Sequence, residues 1–160
     1  MSHPSLGRPP VDPTAGLPNA AARIRRDAAR LAARALEVAI DGDPSFRTRY
    51  DEVGLRARLH DAQLLVRQTA RAIAAGDPGR AYEYAERTAP VYRRKRVPMD
   101  DLIALCDGLR AALPATLTPV ELPASSVVLD SAIEAYRWHR RIAGDARKRN
   151  ALLQLIYKGG

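Results

Sequence analysis

The sequence contains little cysteine, few aromatic residues and almost no lysine, and the first two scarcities exclude whole classes of protein. One cysteine in 160 residues rules out a disulfide framework and a cysteine-rich zinc site. Aromatic residues make up 5% of the chain, so a hydrophobic core has to be built from small aliphatic side chains. No apolar run approaches the roughly 18 residues of a transmembrane helix, so no membrane span is predicted.

Familiar catalytic and cofactor motifs are missing as well. The sequence has no glycine-rich phosphate loop, neither GxxxxGKS/T nor GxGxxG, and it has no HExxH and no CxxC. Cys106 falls on an apolar helical stripe, where a small buried hydrophobe is expected rather than a reactive thiolate. We therefore expect no enzymatic activity, no metal site and no cofactor.

Alanine and arginine are abundant instead. The chain has 29 Ala and 23 Arg against 3 Lys, its net charge is +8, and 46% of its residues are hydrophobic. Such an apolar fraction is too high for a disordered chain, and the length suits one domain. GC-rich codons explain the preference for arginine over lysine, but they do not explain the net charge, which favours an anionic partner. With no secretory signal in view, we expect a cytoplasmic, bacterial protein.

The chain divides into a proline-rich beginning and a long helical part. Residues 1–19 hold 5 of the 12 prolines and predict a disordered leader, followed by a helical domain over 20–160. Asn19 can cap a helix over 20–41, and Gly42 ends it. Further helices are predicted over 53–75, after Asp77-Pro78, from Met99 to Pro114, from Ser125 or Ser126 to Ala143, and over 146–157.

These periodicities predict an all-α, single-domain bundle of five or six helices. A short segment at 45–50 adds one or two helical turns. Pro90 is expected to kink or split its helix, and Gly144 is either a break in the last helix or only a weak point. Because alanine buries little apolar area, we also expect the bundle to gain stability from oligomerisation.

Two basic tracts, at 93–96 and 137–149, are the most distinctive features. Aromatic and basic residues alternate in the second tract, a pattern that suits either a protein interface or nucleic acid, with arginine on phosphate and rings stacked on bases. The candidate interaction or anion-binding residues are Arg93, Arg94, Lys95, Arg96, Arg137, Trp138, His139, Arg140, Arg141, Arg147, Arg149, Leu153, Ile156 and Tyr157.

A third candidate is a polar face on the helix predicted over 53–75. Helical spacing aligns Arg56, His60, Arg67 and Arg71 on one side of this helix. This face is either an anion-binding groove between helices or a solvated surface, and the sequence leaves both interpretations open.

One stretch of the chain resembles a known kind of module. The residues concerned are His60-Asp61, Ala70-Arg71-Ala72-Ile73, Gly76-Asp77-Pro78, Tyr84, Tyr92-Arg93-Arg94 and Val97-Pro98-Met99-Asp100-Asp101-Leu102. Over about 55–113 their order resembles the globin-like, all-helical sensor modules that precede output domains in bacterial stress and transcription regulators. The resemblance implies a globin-like fold and a regulatory role, and it supplies no catalytic residues.

The sequence therefore predicts a non-enzymatic helical sensor or adaptor that acts through a protein partner or as a homo-oligomer. Its last segment, 150–160, is apolar and cationic and is the expected docking or dimer element. The first alternative is a nucleic-acid-binding accessory protein that uses the tracts 93–96 and 137–149. The second is a ligand- or cofactor-binding bundle in which His60 or His139 is an axial or anion contact.

Overall fold

The computed structural model describes Gly7, Pro10, Asp12 and residues 14–157, with side chains as far as Ala143. The described residues form α-helices, one 3-10 turn and loops, without any strand, so the all-α prediction is confirmed. The helix count was too low, because the described chain contains seven α-helices. They are α1 (Pro18–Arg26), α2 (Ala28–Gly42), α3 (Phe46–Arg49), α4 (Glu52–Ala75), α5 (Gly79–Arg94), α6 (Met99–Ala112) and α7 (Leu122–Tyr157), and the 3-10 turn is Leu113–Ala115.

The single helix predicted over 20–41 is wrong, because the chain breaks at Asp27 into α1 and α2. The carboxylate of Asp27 accepts hydrogen bonds from Arg30 at 2.7 Å and from the Thr116 hydroxyl at 3.0 Å. Arg23 of α1 donates to the carbonyl of Thr116 at 3.2 Å and pairs with Glu121. The segment between α6 and α7 therefore contacts both sides of the break, which no pattern within 20–41 reveals.

Helix α1 begins inside the range predicted as the leader. Pro18 takes the first helical position after Leu17, so Asn19 is not the cap residue. The backbone N–H of Leu17 donates to the carbonyl of Ile73 at 2.9 Å, at the end of α4. A side chain at Gly16 would collide with the carbonyl of Ala74, so a glycine is needed where this segment crosses α4.

The predicted helix boundaries hold for α4 and α6, and α5 is continuous. Asp51 caps α4 by accepting the backbone N–H of Gly54 at 2.8 Å, and α4 ends at Gly76. Helix α5 runs through Pro90 to Arg94, so the proline does not split it.

The last helix is longer than predicted. It starts at Leu122, so Ser125 and Ser126 lie inside it and are not caps; the Ser125 hydroxyl donates to the carbonyl of Leu122 at 2.8 Å. The backbone stays helical through Gly144, and α7 is one continuous helix to Tyr157. Although α7 has 36 residues, no helix in the described part of the chain is both long and apolar enough to cross a membrane.

The core is built from alanine and leucine at close helix contacts. The apolar stripe of α6 and the turn after it (Leu102, Leu105, Cys106, Leu109 and Leu113) is buried, as the sequence predicts for Cys106. Helix α6 approaches α2 so closely that a side chain at Gly108 would collide with the backbone of Ala35. Small residues let these helices meet at short distance, and this compensates for their limited apolar area.

Two ion pairs show the relative direction of α6 and α7. Arg110 of α6 pairs with Asp130 of α7, and Asp100 of α6 pairs with Arg140 of α7. The two pairs are ten residues apart on both helices, so α6 and α7 are antiparallel. The residues of α7 after Arg140 therefore continue past the start of α6, for about 25 Å at 1.5 Å per residue.

Candidate anion-binding surface

The structure brings the two basic tracts to one end of the bundle. Arg140 of α7 forms an ion pair with Asp100, which follows Arg96 by only four residues. Four residues span at most about 14 Å of fully extended chain, so both tracts lie close to this ion pair. We call the set Arg93, Arg94, Lys95, Arg96, Arg137, Arg140 and Arg141 the cationic end.

Most charges of the cationic end have no carboxylate neighbour. Arg93, Arg94, Lys95, Arg96 and Arg137 are exposed, and none has a carboxylate oxygen within 4.0 Å among the described side chains. Elsewhere carboxylates pair with most arginines, namely Arg23, Arg26, Arg30, Arg34, Arg49, Arg56, Arg58, Arg80 and Arg110. The other described arginines outside the cationic end, Arg25, Arg47, Arg67, Arg71 and Arg87, are scattered over α1, α3, α4 and α5.

The tract 93–96 comprises the last two residues of α5 and the two residues that follow it. The N–H of Val97 donates to the carbonyl of Tyr92 at 3.0 Å, and the N–H of Arg96 donates to that of Arg93 at 3.1 Å. This pair of bonds is the Schellman motif, in which the residue just after the helix cap adopts the left-handed conformation. Arg96 occupies that place with φ of 58°. The chain therefore changes direction at Arg96, the last cation of the tract.

Apolar side chains lie among these arginines. Trp138 is half-buried, and the Arg141 guanidinium stacks over its ring at 5.6 Å from the centroid. Val91 and Ile142 are 38% and 37% exposed, close in sequence to the two tracts. An exposed surface that combines arginine, tryptophan and aliphatic side chains has the composition of protein interfaces.

The remaining predicted residues lie elsewhere. His139 is half-buried on α7. Four other candidates, Arg56, His60, Arg67 and Arg71, have exposed side chains along α4, and Arg56 pairs with Glu52. Their use as an anion-binding groove stays a prediction. The side chains of Arg147, Arg149, Leu153, Ile156 and Tyr157 lie outside those that the structure describes.

Sequence reasoning missed a buried polar network next to the cationic end. Asp101, at the start of α6, is only 2% exposed. Its carboxylate accepts hydrogen bonds from Arg49 at 2.7 and 3.3 Å and from the Tyr50 hydroxyl at 2.6 Å. Asp101 therefore joins the start of α6 to α3, while the adjacent Asp100 joins it to α7.

The network continues through Arg58, which is 6% exposed. The Arg58 guanidinium stacks over the Tyr50 ring at 5.0 Å from the centroid, and its Nε lies 2.8 Å from Oδ2 of Asp61. That N–H is not aligned with the oxygen, so the contact is an ion pair rather than a hydrogen bond. The other oxygen of Asp61 accepts the Tyr92 hydroxyl at 2.9 Å, which connects α4 to the last turn of α5.

Beyond Asp61 lies a cluster of buried phenols and a thiol. Burial raises the pKa of Tyr84, and it raises the pKa of Tyr92 and that of Tyr136 further still. Burial likewise raises the pKa of the Cys106 thiol, which is fully buried as the sequence predicted. These groups are therefore neutral at physiological pH, and their polar atoms help to fix the relative positions of α4, α5, α6 and α7.

One signal in the sequence could have revealed this network. Arg58 interrupts the apolar stripe of α4 at helical spacing from Leu55 and Ala62, and Asp101 directly precedes the buried Leu102. A charged residue on a stripe that must be buried requires a partner. The partner itself comes from another helix, which periodicity cannot identify.

Within the described residues, no group of three or more His, Cys, Asp and Glu side chains is placed to hold a metal ion. A scan against protein-family models matches no family, and a search of curated proteins finds no relative. The resemblance to globin-like sensor modules therefore stays a prediction.

Proposed function

We propose that this chain is a non-enzymatic helical adaptor of a bacterial cytoplasmic regulatory system, and that its cationic end binds an acidic segment of a partner protein. The observation that supports this proposal is the distribution of paired charge. Carboxylates pair with most arginines elsewhere, whereas five cations at the end where the two tracts meet have no carboxylate oxygen within 4.0 Å among the described side chains. Unpaired charge of one sign attracts and orients an oppositely charged partner.

The surroundings of the cations favour protein over nucleic acid. Proteins that bind single-stranded nucleic acid use aromatic rings with open faces, on which the bases stack. In this chain the Arg141 guanidinium covers one face of the only tryptophan. The exposed Val91 and Ile142 offer apolar contacts that an acidic amphipathic segment can use and a phosphate backbone cannot.

Fluorescence anisotropy with a labelled acidic peptide containing leucine tests the proposal. We expect the full chain to bind this peptide and to bind it at least tenfold more weakly in high salt, because exposed charges are screened. In the triple variant Arg93→Ala, Arg94→Ala, Lys95→Ala, three unpaired cations are lost, and affinity should fall at least tenfold.

A matched variant separates local charge from net charge. Arg25→Ala, Arg47→Ala, Arg87→Ala also removes three exposed arginines that have no carboxylate within 4.0 Å among the described side chains, and none of them belongs to the cationic end or to the groove predicted on α4. This variant should keep most of the affinity. Equal losses in the two variants would mean that only net charge matters, and the proposal would be wrong.

Nucleic-acid binding is the second candidate function, because the two basic tracts lie at the same end of the bundle. Binding to RNA or DNA of matched charge would then exceed peptide binding and would fall linearly with salt on logarithmic axes. If labelled oligonucleotides bind more tightly than the acidic peptide, the second candidate replaces the first.

A further inference from the structure

Helices α4 and α5 end in the same backbone motif, but with different residues at its critical position. At the end of α4, the N–H of Asp77 donates to the carbonyl of Ala72 at 3.0 Å, and the N–H of Gly76 donates to that of Ile73 at 3.2 Å. Gly76 has φ of 60° and no side chain to strain this conformation. Its glycine is also required for space, since a Cβ would lie 2.6 Å from the backbone of Ala15.

At the end of α5 the equivalent residue is Arg96. It adopts φ of 58°, and it is the only residue other than glycine with positive φ in the described chain. A side chain in the left-handed region places its Cβ close to the backbone carbonyl and disfavours folding. Relative to glycine, we expect the arginine to reduce the folding equilibrium constant about threefold or more.

Among the described side chains, no ion pair compensates for this strain. Arg96 is exposed, and no carboxylate oxygen of the described side chains lies within 4.0 Å of it. The two hydrogen bonds of the motif would be the same with glycine at this position, so they do not explain the arginine. Attraction to the carboxyl end of α5 does not explain Arg96 either, because Arg93 and Arg94 occupy the last turn and supply that attraction without strain. Strained backbone conformations cluster at active sites and ligand-binding sites.

We infer that Arg96 is a specificity-determining residue of the cationic end, whose guanidinium holds a carboxylate of the acidic partner through two parallel hydrogen bonds. This inference rests on the proposed function. Arginine presents a planar fork that matches a carboxylate, whereas lysine offers a single ammonium. The reversal of the chain at Arg96 separates it from the helical cations before it, so it contacts the partner from its own direction.

The test combines stability and binding in three single variants of the full chain. Arg96→Gly should be more stable in urea, with an unfolding equilibrium shifted at least threefold toward the folded state. The same variant should bind the acidic peptide at least fivefold more weakly. Arg96→Lys keeps the charge but not the fork and should bind about threefold more weakly. Arg25→Ala removes one exposed charge that has no carboxylate within 4.0 Å among the described side chains, and it should change affinity less than twofold.

The outcomes separate this inference from the proposed function. If Arg96→Gly and Arg25→Ala weaken binding equally while the triple variant at 93–95 still loses affinity, Arg96 has no special role but the cationic end still binds. If Arg96→Gly is no more stable than the wild type, the strain does not exist and the inference fails. If the wild type does not bind the acidic peptide, both the inference and the proposed function fail.

Discussion

Arg58 and Arg96 belong to the same bundle, and the structure surrounds them in opposite ways. Arg58 of α4 is buried. Its guanidinium stacks on the ring of Tyr50, which follows α3, and pairs with Asp61. Arg96 is exposed in a strained conformation, with no described carboxylate near it. The buried charges determine how the helices meet, because each requires its partner. The exposed charges add little to stability and remain available for binding.

The largest expected effect comes from breaking the buried network at Asp101. Asp101→Ala leaves the Arg49 guanidinium and the Tyr50 hydroxyl without their shared acceptor. Arg49 is partly exposed and keeps its ion pair with Asp43, so the loss of this buried acceptor should cost about 1–3 kcal/mol in the free energy of unfolding. Urea denaturation of the variant and the wild type measures this difference.

The neighbouring acid provides the control. Asp100 is exposed and forms a surface ion pair with Arg140, so Asp100→Ala should cost at most about 1 kcal/mol. If Asp101→Ala lowers the free energy of unfolding no more than Asp100→Ala does, burial does not distinguish the two interactions.

The second prediction concerns alkaline pH. The buried tyrosines Tyr84, Tyr92 and Tyr136 have a pKa raised by burial, while in the unfolded chain each has a pKa of about 10. The unfolded chain releases these protons first, so the stability they contribute is complete below about pH 10 and falls as pH rises further. Each tyrosine steepens the fall by up to about 1.4 kcal/mol per pH unit.

Ultraviolet absorbance of tyrosinate, followed together with circular dichroism, measures this effect. Tyr84, Tyr92 and Tyr136 should ionise only as the helices unfold, and Tyr136→Phe should make the alkaline loss of stability less steep. Ionisation of all tyrosines at about pH 10 in a fully helical protein would contradict the burial of this cluster.

The smallest expected change in stability comes from removing the exposed ion pair between Asp100 and Arg140. Asp100→Asn removes the only carboxylate paired with the cationic end among the described side chains, and it frees Arg140. The free energy of unfolding should change by less than about 1 kcal/mol, while affinity for the acidic peptide should rise about twofold to fivefold. Unchanged or weaker binding would indicate that Asp100 is needed to position Arg140 rather than to mask it.

Helical periodicity predicted the elements whose boundaries depend on local signals. Helix α4 has its cap at Asp51 and its left-handed glycine at Gly76, and α6 has an unbroken apolar stripe from Leu102 to Leu113. The break at Asp27 could not be predicted, because Thr116 and Arg23 hold it across a long sequence separation. The same limit applied to α7, where serines that suit a cap became interior residues of a longer helix.

The candidate site divides in the same way. Both basic tracts were visible in the sequence, because runs of charge need no partner to be recognised. Their meeting at one end depends on the antiparallel contact of α6 and α7, and the pairing of Asp100 with Arg140 marks it. The network around Asp101 was missed because its donors, Arg49 and Tyr50, lie about fifty residues away.

By itself, the sequence determined that this protein is a bundle of alanine-rich helices with an excess of arginine, since period, composition and charge are properties of short segments. Tertiary structure decided which charges are buried and which distant charges meet, such as Arg23 with Glu121 and Arg140 with Asp100. The physical reason is that an ion pair requires two groups within about 4 Å, and for residues far apart in the sequence that distance is set by helix packing. Arg58 and Arg96 differ in burial, in backbone conformation and in having a described carboxylate partner, and their proposed roles, one in the fold and one in binding, follow from these differences.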